Sequence, residues 1–432
     1  MEAEGGMEVG EEWRQGRDGG GGRNGGGGGM EAGEGMEVGE EWRQNQNMHA
    51  RMGRISLHIA PNGGAEDNFA ARLRDLAKFY YLCILGNHLT MEISRPDIEA
   101  LRQMLALPAR KIVTLSHTNP DGDAVGSSLA WAEALRRMGH TVTCIIPNKY
   151  PYYLDWMTGI RDMVVFKHDD EGRAARAVEQ ADIIFCMDFH SLSRLEALSE
   201  LIAANTSAKR VLIDHHLNPA EPFDLMFSYP ESSSTCYLLY RIIEEMWGTA
   251  SISRSQAEVL YVGMMTDTGN FSFSFLTPDL FRAVAALVET GIEVPVIYNN
   301  VYNSFTEGRA RLFGYVINRK MKIFHRGTVA YMSLTEEEMR RFWFQQGDSE
   351  GFVNYPLTIK KMKMSAIFIE HHGFIRVSLR SRGDVDVNLF AGRYFNGGGH
   401  RNAAGGKSFE PMAQTIARFE KAVDEFAAQG LL

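Results

Sequence analysis

Short apolar runs alternate with helix-like patterns along the chain from residue 93 onward. Four runs are apolar or β-branched almost throughout, which is typical of strands that are buried on both faces. They lie at residues 111–115, 141–146, 183–187 and 210–213. Apolar residues at three- and four-residue spacing predict helices; these lie at residues 97–107, 124–138, 173–180, 195–205, 234–247 and 255–265. This order predicts an α/β domain with a parallel sheet and helices on both of its faces.

A second, smaller region begins near residue 315 and has a different pattern. Residues 328–334, 364–370 and 374–379 are expected strands, and residues 411–429 are expected to form the final helix. This pattern predicts an α+β domain over residues 315–432. Residues 303–314 are then the expected linker, and the active site is expected in the cleft between the two domains.

The first ninety residues are of low complexity. The nine residues 7–15 recur unchanged at 36–44, with a run of glycines between the two copies. Such a stretch buries too little apolar surface to offset the loss of backbone entropy on folding. We therefore expect residues 1–90 to be a disordered extension, or upstream sequence from a wrongly placed start, with a helix at 67–85 left open. The catalytic domain is then expected over residues 91–302.

Composition and charge restrict the classes of ligand. The chain of 432 residues has 44% hydrophobic and 23% charged residues, which is ordinary globular usage. Its 45 Lys and Arg against 54 Asp and Glu give a net charge of −9. A binding surface for long duplex nucleic acid is usually basic, so this balance disfavours one, although a small pocket for a short oligonucleotide needs only a few cationic groups.

The cysteines and the hydropathy pattern indicate the cellular setting. No apolar run approaches the roughly 18 residues of a membrane span, so no membrane partner is expected. The four cysteines form no CxxC pair, which argues against a disulfide framework or a zinc knuckle and favours the reducing cytoplasm. They are Cys83, Cys144, Cys186 and Cys236.

Acidic and histidine residues cluster at the ends of the predicted elements. Three groups directly follow strands and a fourth follows the helix predicted at 255–265. The residues are His117, Asp121 and Asp123, then Asp188, then Asp214, His215 and His216, and finally Asp267. Ligands of an open parallel sheet bind beyond the carboxyl ends of its strands, so the three groups that follow strands are expected to face one crevice.

So many carboxylates in one crevice predict a metal centre. Acids this close together repel one another and raise one another's pKa values, and a pair of divalent cations offsets that repulsion. Mixed His and Asp ligands suit Mn²⁺, with Mg²⁺, Co²⁺ or Zn²⁺ as alternatives. Two such ions are the usual device for attacking a phosphate ester. Taken alone, Asp188 is equally well explained as a turn residue or helix cap.

A glycine run in the second region is the other candidate site. Gly397, Gly398 and Gly399 precede His400. Glycine-rich backbone can approach a phosphate closely and offer it N–H groups, although a bare run of glycines can also serve only as a turn. Three nearby arginines favour a phosphate or base site; they are Arg380, Arg382 and Arg401. The pair His371-His372 is interpreted as surface, and Ser233, Ser234 and Thr235 as a helix cap that could also touch the site.

These motifs resemble the DHH phosphoesterase superfamily. The resemblance lies in His117-Thr-Asn-Pro-Asp121-Gly-Asp123, Asp188, Asp214-His215-His216 and Asp267. Residues 397–405 resemble the signature of its DHH-associated C-terminal domain. The likeness covers roughly residue 93 to the end, with five motifs in the right order. One departure is Asn396, where many relatives carry a fourth glycine.

The resemblance implies a role for each motif residue. His117, Asp121 and Asp188 would hold one metal, and Asp123, Asp188, His215 and Asp267 a second, with Asp188 bridging. His216 would contact the phosphate as a charge stabiliser or general acid, and Asp214 would orient a histidine. The terminal phosphate or nucleotide would be held across the cleft by Ser378, Arg380, Ser381, Gly397, Gly398, Gly399 and His400.

The implied activity is that of an Mn²⁺-dependent phosphoesterase. Members of this length resemble the group that hydrolyses short RNA oligonucleotides to mononucleotides and adenosine 3′,5′-bisphosphate to AMP. The alternative, a phosphodiesterase of cyclic-di-AMP or linear dinucleotides, shares every motif. A RecJ-like exonuclease, a family II pyrophosphatase and a catalytically dead nucleotide-binding regulator are less favoured. The sequence leaves open the physiological metal, the direction of RNA attack and whether the chain forms a homodimer.

Overall fold

The structure is a computed structural model that describes residues 91–432, except for residues 107, 218, 221 and 274. The predictions for residues 1–90, including the helix at 67–85, and the residue Cys83 lie outside the described part. Within that part, no helix combines the length and the apolar character needed to cross a membrane.

The N-terminal part of the described chain alternates strands and helices, as the pattern predicts. Its strands are β1 (Lys111–Leu115), β2 (Thr141–Ile146), β3 (Val164–Val165), β4 (Ile183–Met187), β5 (Lys209–Asp214) and β6 (Leu225–Ser228). Its helices are α1 (Arg95–Met104), α2 (Gly122–Arg137), α3 (Arg173–Glu179), α4 (Leu198–Ala204), α5 (Thr235–Trp247), α6 (Arg254–Asp267), α7 (Pro278–Glu289) and α8 (Val294–Tyr302). The short strands β3 and β6 have no clear signal in the sequence.

The six described strands of this part form one parallel sheet, in the order β3-β2-β1-β4-β5-β6. Every residue of β4 is buried, in agreement with a sheet that is covered on both faces. The strand order reverses between β1 and β4. Such a switch point opens a crevice beyond the carboxyl ends of the two strands, and the loops that follow β1 and β4 enter it.

Helices α2 and α6 pack against each other unusually closely because glycines lie between them. A Cβ atom on Gly126 would lie 2.4 Å from the carbonyl oxygen of Val259, and one on Gly263 would lie 2.6 Å from Asp123 Oδ1. Larger side chains would force the helices apart. This contact brings the start of α2, with Asp123, close to the end of α6, with Asp267.

Four elements of this domain differ from prediction in ways that matter here, and three of the differences move site residues into regular structure. Helix α2 begins at Gly122 rather than residue 124, since the Asp121 side chain caps it. Helix α6 extends to Asp267, so this residue ends the helix instead of following it. Strand β5 extends to Asp214. The single helix predicted at 195–205 is divided into a 3₁₀ turn, Leu192–Leu195, and α4.

The C-terminal part is the predicted α+β domain. Its strands are β7 (Lys322–Phe324), β8 (Val329–Leu334), β9 (Met364–His371), β10 (Phe374–Ser381), β11 (Gly398–His400) and β12 (Ala403–Ser408). Its helices are α9 (Glu307–Tyr315), α10 (Glu336–Arg341), α11 (Val387–Tyr394) and α12 (Met412–Ala428). The described strands form a mixed sheet in the order β11-β12-β10-β9-β8-β7. Phenylalanines from β9, α11 and α12 form its core.

Two segments of the second region are more regular than expected. Helix α9, capped by Thr306, occupies most of the residues predicted as a linker. The glycine run is an edge strand rather than a free loop, because β11 pairs antiparallel with β12. A Cβ atom on Gly397 would lie 1.9 Å from the carbonyl oxygen of Gly405, so the glycines permit a close backbone approach.

Candidate metal centre and active site

Asp188 lies at the centre of the acidic and histidine cluster. Its carboxylate oxygens lie 3.5 Å from His117 Nε2, 3.6 Å from His215 Nε2 and 3.7 Å from His216 Nδ1. The residue is only 2% exposed. Three imidazoles from the ends of β1 and β5 therefore meet one carboxylate that follows β4.

Among the described residues, four groups of side chains in this cluster could each hold a metal ion, and two of the groups consist wholly of predicted metal ligands. The first is His117, Asp121 and Asp188, and the second is Asp123, Asp188 and His215; within each group the ligand atoms lie within 4.8 Å of one another. Asp267 Oδ2 lies 3.1 Å from His215 Nε2, beside the second group. Asp188 belongs to both groups, so its position is compatible with the bridging role that the family resemblance implies.

The backbone presents Asp188 in a strained conformation. Its φ of 64° lies in the left-handed region, which residues other than glycine adopt rarely. The surrounding structure holds this conformation, since the Asp188 N–H donates to the carbonyl oxygen of Ile213 at 3.0 Å. The Thr235 hydroxyl also donates to Asp188 Oδ1 at 2.9 Å. Strain maintained in this way is common at functional sites.

Asp121 and Asp123 each accept hydrogen bonds from the N-terminus of a helix. Asp121 caps α2, where its Oδ1 accepts the N–H groups of Asp123 at 3.0 Å and Ala124 at 3.1 Å. Asp123 is fully buried and accepts the N–H groups of Thr235 at 2.6 Å and Cys236 at 2.8 Å. These N–H groups belong to the first turn of α5, whose positive end favours a carboxylate. The hydroxyl-rich stretch at residues 233–235 thus has both of the roles expected of it: Ser234 caps helix α5, and the Thr235 hydroxyl contacts Asp188 of the cluster.

Each of the three histidines has an oxygen acceptor within hydrogen-bond distance of its Nδ1. His117 Nδ1 lies 2.9 Å from the carbonyl oxygen of Thr118, and His215 Nδ1 lies 3.1 Å from that of Ser232. His216 Nδ1 lies 2.8 Å from Asp214 Oδ1. An oxygen acceptor at Nδ1 favours the tautomer that carries its proton there, which leaves the Nε2 lone pair free for a metal or a substrate.

The carboxylates titrate abnormally because they are buried together. Burial and the charge of Asp188 raise the pKa of Asp123 well above its ordinary value. Burial and the charge of Asp121 do the same to the pKa of Asp188. Burial alone would lower the pKa of His215, but Asp267 and the other acids raise it well above its ordinary value. The cluster therefore favours positive charge, and this donor set fits divalent cations.

The second domain contributes His400 directly to this cluster. The His400 ring centroid lies 4.8 Å from that of His215 and 4.7 Å from that of His216. Burial and these two neighbouring imidazoles lower the pKa of His400 to about 3. Burial and His215 also lower the pKa of His216 well below its ordinary value. Both rings are therefore neutral near pH 7.

The glycines beside His400 position it through the sheet. Gly399 has a φ of 148° and a Cβ atom there would lie 2.5 Å from the carbonyl oxygen of Ala403. Its N–H already donates to Asn388 Oδ1 at 2.9 Å. The run thus serves first to pair β11 with β12 and to direct His400 towards the cluster, a role that the sequence does not reveal.

The other expected substrate contacts lie along β10 and differ in surroundings. The Ser381 hydroxyl donates to the carbonyl oxygen of Val385 at 2.6 Å, inside the second domain. Ser378 is half-buried and its backbone pairs with Gly405. Burial lowers the pKa of Arg380, while Glu350, Asp267 and Asp121 oppose that shift, so its guanidinium lies among acids of both domains.

Arg194 and Glu350 lie near the site although sequence reasoning did not single them out. Burial and the charge of Arg194 lower the pKa of His117, and the Arg194 carbonyl accepts the Thr118 N–H at 2.8 Å. Glu350 interacts with Arg380 from a turn of the second domain. Neither residue belongs to a histidine or acid motif or follows a predicted strand, so no local signal marks them.

Comparison with known proteins agrees with this architecture. The model of the DHH family, N-terminal domain, matches residues 111–264, and the DHHA1 domain matches residues 326–429. Two relatives named bifunctional oligoribonuclease and PAP phosphatase NrnA come from Thermus thermophilus and Bacillus subtilis. Each is 25% identical over 68% of this chain, and the matches cover 83% and 88% of the two relatives.

A solved structure matches the whole described fold. It is the crystal structure of an exopolyphosphatase-related protein from Bacteroides fragilis, at 39% identity and a TM-score of 0.72. The match covers 78% of this chain and 98% of that one. The predicted motifs, the two matching domains and this structural likeness agree, and the chain therefore belongs to the DHH family of metal-dependent hydrolases, with a DHHA1 domain as its C-terminal part.

Proposed function

We propose that this protein hydrolyses short RNA oligonucleotides to mononucleotides and adenosine 3′,5′-bisphosphate to AMP. The observation that carries the proposal is the cluster in which two His and Asp groups share Asp188 while His400 of the second domain lies against them. The names of the Thermus and Bacillus relatives support the same two substrates.

The proposed metal ligands fall into two sets. His117, Asp121 and Asp188 would hold one cation; Asp123, Asp188, His215 and Asp267 would hold the other. Mn²⁺ is the proposed ion because imidazole and carboxylate ligands occur together. When bound, the two cations would neutralise the acids, polarise the phosphate and supply an activated water at neutral pH.

His216 is the proposed phosphate contact, and Asp214 is its positioning residue. Asp214 Oδ1 accepts a hydrogen bond from the Nδ1–H of His216, so that Nε2 is available to the substrate. Burial and His215 keep the pKa of His216 low while the site holds no anion. A phosphate oxyanion beside Nε2 would favour the protonated ring, which then donates a hydrogen bond and stabilises the charge that develops in the transition state.

Replacing Asp214 by asparagine tests this pairing. A neutral amide oxygen cannot accept the Nδ1 proton with the strength of a carboxylate, so D214N is expected to lower kcat by about 10- to 100-fold, the usual cost of losing such a partner. The KM for metal should change little. Steady-state kinetics across pH 6 to 9 provides the measurement, and a kcat equal to that of the wild type at every pH would contradict the role of Asp214.

The second domain is proposed to select short substrates. His400, Arg380 and the strand that contains Gly397, Gly398 and Gly399 would hold the terminal phosphate or nucleotide, with Ser378 and Ser381 as supporting groups on β10. Because His400 of this domain lies against His216 of the cluster, the domain is proposed to close one end of the cleft. The net charge of −9 also disfavours long RNA.

Product analysis with purified protein and Mn²⁺ tests the proposal. The substrates are pApA, a 5-mer RNA, a 24-mer RNA, adenosine 3′,5′-bisphosphate and cyclic-di-AMP, assayed in parallel. Mononucleotides from the dimer and the 5-mer, with AMP from the bisphosphate, are the expected products. Opening of cyclic-di-AMP with the other substrates untouched would replace the proposal by the less favoured phosphodiesterase activity.

Removing residues 1–90 is expected to leave turnover within roughly two-fold of the full chain, because that low-complexity segment carries none of the motifs. The comparison uses kcat/KM on the RNA dimer for both proteins at the same Mn²⁺ concentration. A loss of activity much larger than this would show that the segment takes part in function.

A further inference from the structure

The loop that follows Asp267 displays two phenylalanines to solvent. Phe273 is 47% exposed and Phe275 is 56% exposed. Phe271 of the same loop is half-buried and contacts Tyr261 and Phe281, with ring centroids 5.9 and 5.8 Å away. One aromatic ring therefore anchors the loop, while two others face outward.

Hydrogen bonds hold this loop firmly against the end of α6. The Thr268 hydroxyl donates to the carbonyl oxygen of Met264 at 2.6 Å, and the Asn270 N–H donates to that of Met265 at 2.7 Å. The Phe273 N–H donates to the carbonyl oxygen of Thr268 at 2.9 Å. The backbone position of Phe273 is thus fixed before any ligand binds.

Phe273 lies close to the candidate metal centre. A Cβ atom on Gly269 would lie 2.3 to 2.5 Å from atoms of the Phe273 ring, so the ring rests on the backbone of Gly269. Gly269 is two residues from Asp267, whose Oδ2 lies 3.1 Å from His215 Nε2. The exposed ring therefore packs against a residue that is two positions from a proposed metal ligand.

The backbone of the loop is also unusual. Asn270, Phe271 and Phe275 have φ angles of 55°, 56° and 66°, in the left-handed region. Phenylalanine rarely adopts this conformation, and a fold that retains it commonly does so at a functional site. Exposure of an apolar ring on such a backbone brings no packing benefit of its own.

We propose that Phe273 is a stacking platform for one nucleobase of a single-stranded RNA substrate. The inference rests on the proposed function and adds a base-binding subsite to it. Single-stranded nucleic acid is commonly held by stacking bases on aromatic side chains, and every base offers a face for stacking. Phenylalanine has no hydrogen-bonding group, so the subsite accepts any base, as the degradation of mixed short RNA requires.

A nucleobase is favoured over a second copy of this chain as the occupant. Asn270 and Ser272, which are close to Phe273 in sequence, are polar and exposed, so this part of the loop is not a continuous apolar surface of the kind that joins two copies of a chain. Stacking also suits an acidic protein, because it adds affinity for a nucleotide without further cations. Association of two chains through the same rings is an outcome that the test distinguishes.

The test uses the full chain in Mn²⁺ with RNA trimers. One trimer carries all three bases, and three others each lack the base at a single position. F273A is expected to lower kcat/KM on the complete trimer by about 10-fold, mainly through KM, since one base–aromatic stack is lost. With one of the abasic trimers, F273A and the wild type should have equal kcat/KM, because the partner of the stack is already missing. F273W should restore the activity.

Two controls make the result specific. F409A removes an aromatic ring that is 75% exposed beyond β12 and should leave all four kcat/KM values unchanged. The molar mass of F273A in solution should equal that of the wild type. An unchanged kcat/KM on the complete trimer, an equal loss with every abasic trimer, or a lower molar mass of the variant would each overturn the platform. If the wild type hydrolyses none of the trimers, the proposed function itself fails, whatever the phenylalanine does.

Discussion

Replacing Asp188 by asparagine is expected to reduce hydrolysis by at least about 1,000-fold, because the carboxylate belongs to both proposed metal-ligand groups and two-metal assistance contributes several kcal/mol. Asparagine has the shape of aspartate and tolerates the left-handed backbone at φ 64°, so D188N should still fold. The substitution removes the negatively charged ligand that the two cations would share. The measurement is kcat/KM on the RNA dimer at saturating Mn²⁺, together with circular dichroism and a thermal melt.

Asp182 offers a matched control for this substitution. It precedes β4, the same strand that Asp188 follows, and its Oδ2 accepts the Lys111 N–H at 2.7 Å at the opposite edge of the sheet. D182N should cost little activity, since only a structural hydrogen bond is weakened. Near-wild-type hydrolysis by D188N in Mn²⁺ would rule out the proposal that Asp188 bridges two metals.

Removing divalent metal is expected to abolish turnover and to lower thermal stability. Burial and the charge of Asp188 raise the pKa of Asp123, and burial and the charge of Asp121 raise the pKa of Asp188. Both carboxyls therefore bind protons more readily in the metal-free fold than in the unfolded chain. Bound cations would replace those protons and stabilise the folded state. Dialysis against a chelator should therefore reduce activity to background, and added Mn²⁺ should restore both activity and melting temperature.

The pH dependence of the metal-free protein follows from the same shifts. A carboxyl whose pKa is raised by folding contributes stability at low pH that is lost as the pH rises through the raised pKa. Burial and the charge of Arg194 lower the pKa of His117, and burial and the charge of His215 lower the pKa of His216. Neither shift makes stability depend on pH above about pH 7, because histidine in the unfolded chain is already largely neutral there.

We therefore expect the melting temperature of the metal-free protein to fall as the pH rises through the raised pKa values of Asp123 and Asp188, and saturating Mn²⁺ to reduce that fall. Calorimetry of both forms, with D188N as the variant that lacks one of the titrating acids, provides the measurement. Full activity in the chelated protein, or a melting temperature that is the same with and without Mn²⁺, would contradict a resident metal centre.

Local sequence pattern determined four of the six described strands of the parallel sheet and most of the candidate ligands. Strands β1, β2 and β4 have the predicted bounds, because a short, wholly apolar run between turns has few conformations that bury it. Asp188 and the Asp214-His215-His216 motif could be assigned to one crevice because parallel strands end at the same edge. The capping role of Ser234 also followed from sequence alone.

The tertiary structure alone decided which distant residues complete the site. Thr235 donates to Asp188 across 47 positions of sequence, and His400 reaches His216 from the other domain. The sequence suggested that the glycines before His400 form a phosphate-binding loop. The structure shows that they allow β11 to lie close to β12, a contact that only the three-dimensional fold reveals. Periodicity and capping act over a few residues and can be read locally. Contacts between distant segments depend on strand order and helix packing, which no short stretch of this chain encodes.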